Sequence, residues 1–203
     1  MNFVKFIGSQ FSNPRGFWGK ISSYFMNQLN KKQYKSVMKL FRELKPEYVL
    51  DVGFGNGYLL KELSKKNNSI FYGIDMSESM LEAATKRNLE MIKNKKMFLN
   101  LSDIVNMEFK DSMFDFIYTV NTVYFWSDLK KGYSEVYRTL KAGGAFANVF
   151  YTKAWLDKLS YTKYDFTKYS QNELLNEIKK MGFSKVELIE LKKDSAYCLV
   201  AWK

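Results

Sequence analysis

The stretch 48–57 constrains the fold of this chain more than any other. An apolar, β-branched run ends in Asp51, and three glycines then follow at alternate positions, Gly53, Gly55 and Gly57. Leucines at helical spacing come directly afterwards, so the pattern predicts a strand, a tight turn and a helix. Because glycine carries no Cβ and tolerates positive φ, such a turn lets backbone N–H groups approach a ligand closely. We therefore expect a nucleotide-type site here.

The glycine spacing narrows the kind of nucleotide. A dinucleotide fingerprint needs a glycine three residues after Gly55, where this chain has Tyr58, and this argues against a nicotinamide-dependent reductase. No Gly-Lys-Ser/Thr sequence follows, so a phosphate-binding Walker loop is excluded as well. The next strand-like run ends in Asp75, 18 residues beyond Gly57. A carboxylate at the tip of a second strand can accept hydrogen bonds from both hydroxyls of a ribose.

Length and composition favour one enzyme-sized domain. The chain has 203 residues, 46% of them hydrophobic, which is enough for one well-buried α/β domain. It lacks a signal-peptide core and any long apolar run, so we expect a cytoplasmic protein. Histidine is absent, which removes the usual general base and the commonest metal ligand, and we expect no metal site. Cys198 lies in an apolar strand pattern and is predicted to be a buried structural thiol.

The basic charge is concentrated in an N-terminal segment, residues 1–46. The segment holds nine Lys or Arg against one acid, Glu43, while the whole chain has a net charge of +11. Apolar residues at helical spacing predict two amphipathic helices, over 13–29 and 34–44. Three interpretations stay open: packing over the sheet edge and the cofactor mouth as a lid, a hood that contacts an acidic or lipid-like substrate, and nucleic-acid contact. The last has the least support because no RNA-recognition module accompanies the helices.

Residues 47–203 alternate between strand and helix patterns, which is typical of a parallel, doubly wound sheet. The two final strands are joined by a short turn and must therefore be antiparallel. We expect an α/β, Rossmann-like, seven-stranded, mostly parallel sheet with an antiparallel last strand and an N-terminal helical cap, in one structural domain. The predicted strands are 47–52, 69–74, 97–101, 114–120, 145–151, 185–191 and 196–202. Helices are predicted over 77–89, over 128–141 with Gly143-Gly144 ending it, and after a capping box at Ser170, with a loop or short insertion over 152–169.

Four segments in this order resemble the class I S-adenosylmethionine-dependent methyltransferases. They are the acid and glycine turn over 48–57, then 73–81, 114–117 and 140–144, and the resemblance covers about residues 47–203. The small-molecule branch that includes the ubiquinone and menaquinone biosynthesis methyltransferases is the most similar. This resemblance implies S-adenosylmethionine as the cofactor.

The resemblance implies a role for residues at both ends of the cofactor. Gly53, Gly55 and Gly57 would shape the turn around its methionine part, Asp51 would accept from its ammonium directly or through water, and Asn121 would lie beside it.

At the adenosine end, Asp75 would hold the ribose hydroxyls and Met76 would pack on the adenine. Asp103 would accept from the adenine amino group, with Ile104 alongside. The alternative for each acid is an ordinary turn or cap residue, and this alternative is strongest for Asp103, since Asp after a strand often starts a turn.

Methyl transfer from a sulfonium is an in-line displacement with an excellent leaving group. The enzyme then mainly aligns the nucleophile with the methyl group and excludes water, so a dedicated base is optional and no catalytic residue is assigned. Candidates for a substrate wall are the aromatic residues Tyr24, Tyr124, Phe125 and Trp126, for which helix-to-sheet packing is an equal alternative.

The expected partner is a small-molecule methyl acceptor, without nucleic acid or a transmembrane segment. Peripheral membrane contact through the basic helices stays open, as does the choice between a monomer and a homodimer. Two competing functions are an RNA methyltransferase and a non-catalytic cofactor-binding module. A base-amino methyltransferase would often show Asn/Asp-Pro-Pro-Tyr/Phe after the fourth strand, where this chain reads Asn-Thr-Val-Tyr over 121–124.

Overall fold

The computed structural model describes residues 30–65, 67–163 and 166–203. The helix predicted over 13–29, and Tyr24 within it, lie outside the described residues, as does the part of the basic N-terminal segment before residue 30. The described chain begins with helix α1, Lys31–Leu44, which is the second of the two amphipathic helices predicted from the sequence. It ends before Pro46, because Lys45 takes a left-handed conformation (φ 46°) and donates its N–H to the Phe41 carbonyl.

After α1 the chain alternates strands and helices as the sequence predicts. The strands are β1 (Tyr48–Val52), β2 (Ile70–Asp75), β3 (Met97–Leu101), β4 (Phe114–Val120), β5 (Leu140–Tyr151), β6 (Lys185–Lys192) and β7 (Ala196–Trp202). The helices are α2 (Tyr58–Leu63), α3 (Glu78–Arg87), α4 (Leu89–Lys93), α5 (Leu129–Thr139), α6 (Lys153–Leu156) and α7 (Gln171–Lys179). Short 3₁₀ turns occupy Ile104–Asn106, Val123–Phe125 and Ser160–Lys163.

The strands form one seven-stranded sheet in the order β3-β2-β1-β4-β5-β7-β6. Neighbours from β3 to β5 are parallel, whereas β7 is antiparallel to both β5 and β6. The mostly parallel sheet with an antiparallel last strand is therefore confirmed. The chain winds from β1 outward to β3 and then returns to β4 on the other side of β1. Ligands of doubly wound sheets bind at the carboxyl ends of strands around such a reversal.

Both faces of the sheet are buried, since successive side chains of a strand point to opposite faces. Val49 packs with α1 and α2 on one face, in a cluster with Phe41 and Leu60. Leu50, its neighbour, packs on the other face with residues of α5 and α7 such as Val136. Cys198 is fully buried, and burial raises the pKa of its thiol to about 12.

Two local predictions differ from the structure. Gly143 and Gly144 do not end a helix: α5 stops at Thr139 and β5 starts at once, so the glycines lie inside β5, where its pairing with β4 is irregular. The helix predicted over 77–89 is divided, and Asn88 separates α3 from α4. The loop or short insertion predicted over 152–169 contains the four-residue helix α6 and a 3₁₀ turn. The capping box at Ser170 is confirmed.

None of the described helices is long and apolar enough to cross a membrane.

Asp115 joins the starts of three central strands. Its carboxylate accepts from the backbone N–H groups of Glu47 at 3.1 Å and Tyr48 at 2.7 Å, and from the Lys141 ammonium at 2.7 Å. Asp115→Ala should therefore lower the free energy of unfolding by about 1–3 kcal/mol, the usual loss for hydrogen bonds to a charged group. Urea unfolding measures the change. The control is Glu43→Ala, which removes an exposed pair with Lys39 and should stay within about 0.5 kcal/mol; equal effects would contradict a structural role for Asp115.

Candidate functional site

A cleft opens at the carboxyl ends of β1, β2 and β4, where the order of the sheet reverses. It is bordered by the glycine turn, by α1, and by the segments that follow β3 and β4. Eight of the nine predicted cofactor contacts line it: Asp51, Gly53, Gly55, Asp75, Met76, Asp103, Ile104 and Asn121. The structure thus brings together residues that are far apart in the sequence.

The glycine turn needs its glycines for different reasons. Gly53, with φ 76°, donates its N–H to the Ile74 carbonyl at 2.7 Å, and a Cβ there would lie 2.3 Å from Thr122. Gly55 also has a positive φ, of 53°, but a Cβ there would meet no atom within 4 Å. Because Gly55 lines the cleft, that open space is available to a ligand.

Gly57 does not line the cleft. It is the N-cap of α2, and a Cβ there would lie 2.6 Å from the Asn88 side chain and 2.8 Å from Ala84. Its role is therefore to let α2 pack closely against α3, which positions the turn indirectly.

Asp51 is the most deeply buried acid of the cleft, with an exposed fraction of 3%. It accepts a hydrogen bond from the Tyr118 hydroxyl at 2.9 Å. Burial raises the pKa of Asp51 to about 8, the Tyr118 hydrogen bond acts in the opposite direction, and the charge of Asp75 adds to the rise. A cation placed beside Asp51 would favour its charged form.

Asp75, at the end of β2, is held by the backbone on both sides. One carboxylate oxygen accepts from the N–H of Gly55 at 2.8 Å and the other from the N–H of Ser77 at 2.9 Å. Burial raises the pKa of Asp75, while these N–H groups oppose the rise. Each carboxylate oxygen has two acceptor sites, so the fixed carboxylate can still receive hydroxyl groups of a ligand.

The segment after β3 places Asp103 and Ile104 at the cleft, and Met76 lies there after β2. One oxygen of Asp103 accepts from the Val105 N–H at 3.2 Å and caps the short 3₁₀ turn. Met76 is 57% exposed, whereas Ile104 is buried. An exposed methionine at the mouth of a cleft offers a flexible apolar surface to a flat ligand.

Helix α1 contributes polar residues that no sequence motif revealed. Asn30 and Tyr34 line the cleft, and Gln33 is buried beside them. The Asn121 amide donates to Asn30 Oδ1 at 2.9 Å and to Gln33 Oε1 at 2.9 Å, and Gln33 Nε2 donates back to Asn121 Oδ1 at 3.1 Å. Asn121 has a positive φ of 59°, a conformation that Asn tolerates better than most residues. This amide network fixes α1 over the end of β4.

The described aromatic candidates for the substrate wall differ in whether they line the cleft. Phe125 and Trp126 line the cleft. Tyr124 does not: it is 3% exposed, its hydroxyl oxygen, which carries a single proton, lies 3.2 Å from two acceptors, Asn121 Oδ1 and the Tyr151 carbonyl, and the same oxygen accepts from the Tyr151 N–H. Its position is explained by packing, because its ring stacks on Phe166 at 5.7 Å.

The charge of the cleft suits a cationic ligand. Three acids line it, Asp51, Asp75 and Asp103, and none of the described lining residues is Lys or Arg. A ligand that carries an ammonium, a sulfonium and ribose hydroxyls would find acceptors for each and no described cation to repel it. The residues therefore fit S-adenosylmethionine, and the open space at Gly55 leaves room for its approach.

The sheet order and this cleft define a doubly wound α/β protein, a class whose ligands bind at the switch point of the sheet. Comparison with known proteins identifies the family. Residues 50–148 match the Methyltransferase domain family. The uncharacterized methyltransferase YdaC of Bacillus subtilis (strain 168) is 31% identical over 128 residues, which are 63% of this chain and 68% of YdaC. The chain belongs to the class I S-adenosylmethionine-dependent methyltransferases, and it is an enzyme.

Two further comparisons agree with this assignment. The demethylmenaquinone methyltransferase of Bacteroides fragilis is 26% identical over 111 residues, and the match spans 54% of this chain and 45% of that enzyme. The crystal structure of a putative S-adenosyl-L-methionine-dependent methyltransferase from Methanococcus maripaludis superposes with a TM-score of 0.68 at 22% identity, covering 91% of this chain and 93% of that one. At that identity the second likeness shows the fold alone.

The glycine turn yields a matched pair of variants. Gly55→Ala and Gly143→Ala each place a side chain at positive φ (53° and 76°) in open space, so each should cost about 1–2 kcal/mol of stability. Only Gly55 lines the cleft. Gly55→Ala should weaken S-adenosylmethionine binding at least tenfold in calorimetric titration, and Gly143→Ala should leave it unchanged. Equal affinities of the two folded variants would remove Gly55 from the site.

Proposed function

We propose that the cleft holds the methionine part of S-adenosylmethionine between the glycine turn and α1. Asp51 accepts from the cofactor ammonium, directly or through water, while Gly53 and Gly55 let the chain approach it closely. Asn121 lies beside the same part. The observation that carries this proposal is that Asp51, the turn and Asp75 line one cleft at the reversal of the sheet. Gly57 supports the turn from outside the cleft.

We propose that the adenosine part lies along the ends of β2 and β3. Asp75 receives the ribose hydroxyls, since its backbone partners leave acceptor sites on both oxygens. Asp103 receives the adenine amino group through Oδ2, which accepts from the Ser127 hydroxyl at 3.4 Å and has a second acceptor site, and Met76 and Ile104 pack on the ring. Support comes from the exposure of Met76 and from the position of all four residues at the cleft.

The bound cofactor supplies an electrophilic methyl group on a sulfonium. The residues of this chain would then orient the acceptor and exclude water rather than transfer a proton, and alignment of this kind lowers a barrier by several kcal/mol. Phe125 and Trp126 form the described part of the substrate wall. Their faces can also stabilise a cationic centre by about 0.5–2 kcal/mol.

The acceptor class that we propose is a small molecule with an apolar or aromatic body. The aromatic residues at the cleft suit such a body, and the name of the Bacteroides fragilis relative specifies a quinone precursor as its acceptor. RNA as an acceptor has no comparable support. A cytoplasmic location, peripheral membrane contact through the basic N-terminal helices, and a monomer or homodimer stay predictions from the sequence.

Calorimetric titration with S-adenosylmethionine, S-adenosylhomocysteine and NADH tests the cofactor site. We expect micromolar binding of both adenosyl compounds and none of NADH, because the turn lacks the dinucleotide spacing. Turnover is then screened with small aromatic and lipid-like acceptors and with RNA as the comparison. Failure of the folded protein to bind either adenosyl compound would contradict the proposed site, and methylation of RNA alone would contradict the proposed acceptor class.

Asp75→Ala tests the ribose contact. Loss of hydrogen bonds to a charged acceptor should weaken cofactor binding by about 1–3 kcal/mol, measured by calorimetry on folded protein. The control is Asp128→Ala, which removes a cap that accepts from the Lys131 N–H at 3.0 Å but does not line the cleft. Unchanged affinity in Asp75→Ala would exclude the ribose assignment.

A further inference from the structure

The hydroxyl of Tyr118 hydrogen-bonds the side chain of Asp51. It lies on β4 directly opposite Asp51 of β1 in the strand register. Its side chain is fully buried, and its hydroxyl donates to Asp51 Oδ2 at 2.9 Å. Burial and the neighbouring Asp51 charge raise the pKa of Tyr118 well above its ordinary value, so the phenol stays protonated and acts as the donor.

This donor is unusual for a central parallel strand, where buried side chains are mostly aliphatic. Its neighbours on β4 are Ile117 and Thr119, and the Thr119 hydroxyl serves the backbone of β1 by donating to the Val52 carbonyl at 2.8 Å. The Tyr118 hydroxyl instead serves the Asp51 side chain. This hydrogen bond fixes one carboxylate oxygen of Asp51 and so restricts the orientation of the carboxylate. Because Asp51 lines the cleft, the same bond orients the carboxylate relative to a ligand there.

We propose that Tyr118 is a positioning residue for the cofactor: its hydroxyl orients the Asp51 carboxylate and favours its ionised form, and so selects ligands that carry an ammonium at this end of the cleft. The inference rests on the proposed role of Asp51 toward the cofactor ammonium. Tyr118 would act only through Asp51, without contacting the cofactor, and its effect would be specific to the amino-acid part of S-adenosylmethionine.

The groups that face Asp51 explain why it needs a donor. Asp75 faces it from β2 and disfavours its charge, Tyr34 approaches from α1, and Tyr118 from β4 donates the hydrogen bond that favours the charge. The raised pKa of Asp51, about 8, means that near neutral pH the free protein holds much of this group protonated. Binding an ammonium requires the ionised form, so affinity should rise with pH toward that pKa.

The test compares Tyr118→Phe, Asp51→Asn and the wild type by calorimetry at pH 6.5 and 8.5. The two ligands are S-adenosylmethionine and 5′-methylthioadenosine, which keeps the adenosine and the sulfur but has no amino-acid part. The control is Tyr133→Phe, which also removes a fully buried hydroxyl, one that accepts from Asn148 at 3.0 Å and does not line the cleft. Titration of the ligand ammonium is common to all variants and cancels in their affinity ratios.

We expect Tyr118→Phe to weaken S-adenosylmethionine binding about tenfold at pH 6.5, the effect of one pKa unit on Asp51, and clearly less at pH 8.5. Binding of 5′-methylthioadenosine should match the wild type, and Tyr133→Phe should match the wild type with both ligands. An equal loss for both ligands, or a loss that is independent of pH, would overturn the proposal, because it would mark a general distortion of the cleft.

The outcome with Asp51→Asn distinguishes a failure of the Tyr118 proposal from a failure of the proposed Asp51–ammonium contact. If Asp51→Asn weakens S-adenosylmethionine binding and Tyr118→Phe does not, the role of Tyr118 fails while the role of Asp51 stands. If Asp51→Asn itself leaves the affinity unchanged, the proposed ammonium contact fails, and the inference about Tyr118 fails with it.

Discussion

Pairing of β1 on both of its edges is the constraint on which the site depends. Because β2 and β4 are both parallel to β1, their carboxyl ends meet at one edge of the sheet. The register places Asp51 between Gly73 of β2 and Tyr118 of β4. The glycine turn then bonds back to the Ile74 carbonyl and to the Asp75 carboxylate. A shift of either neighbour by one residue would separate these groups, since alternate residues face opposite sides.

This geometry concentrates negative charge where water is scarce. Burial raises the pKa of both Asp51 and Asp75, and the charge of Asp75 raises the pKa of Asp51 further. The chain compensates with donors that cannot move far: backbone N–H groups for Asp75 and a buried phenol for Asp51. A cationic ligand would offset the remaining cost of charging Asp51. The site is thus preorganised for charge at some expense to the free protein, as binding sites often are.

Local patterns predict the strands and helices because these depend on neighbours in the sequence, whereas most of the cleft residues follow from the family resemblance. The acid, the glycine turn and the acid after the next strand each follow a strand, so their positions come with the strand order. The resemblance implies a cofactor role for Gly57, and the aromatic run after the fourth strand makes Tyr124 a wall candidate with packing as the equal alternative. In the structure Gly57 serves the packing of α2 on α3, and Tyr124 packs on Phe166. Gly143-Gly144 resembles a helix end but lies within β5, a position set by pairing with β4 that local pattern does not encode.

The contribution of α1 was beyond sequence reasoning for a different reason. Its amides are 88 and 91 residues away from Asn121, and a buried amide pair leaves no periodic signal. Yet Asn121 hydrogen-bonds α1 while it lines the cleft at the tip of β4. Unpaired buried amides are costly. Movement of α1 away from the cleft therefore requires Asn30, Gln33 and Asn121 together to become exposed to water or to form new hydrogen bonds. Helix α1, which borders the cleft, and the tip of β4 are therefore coupled through one residue, Asn121.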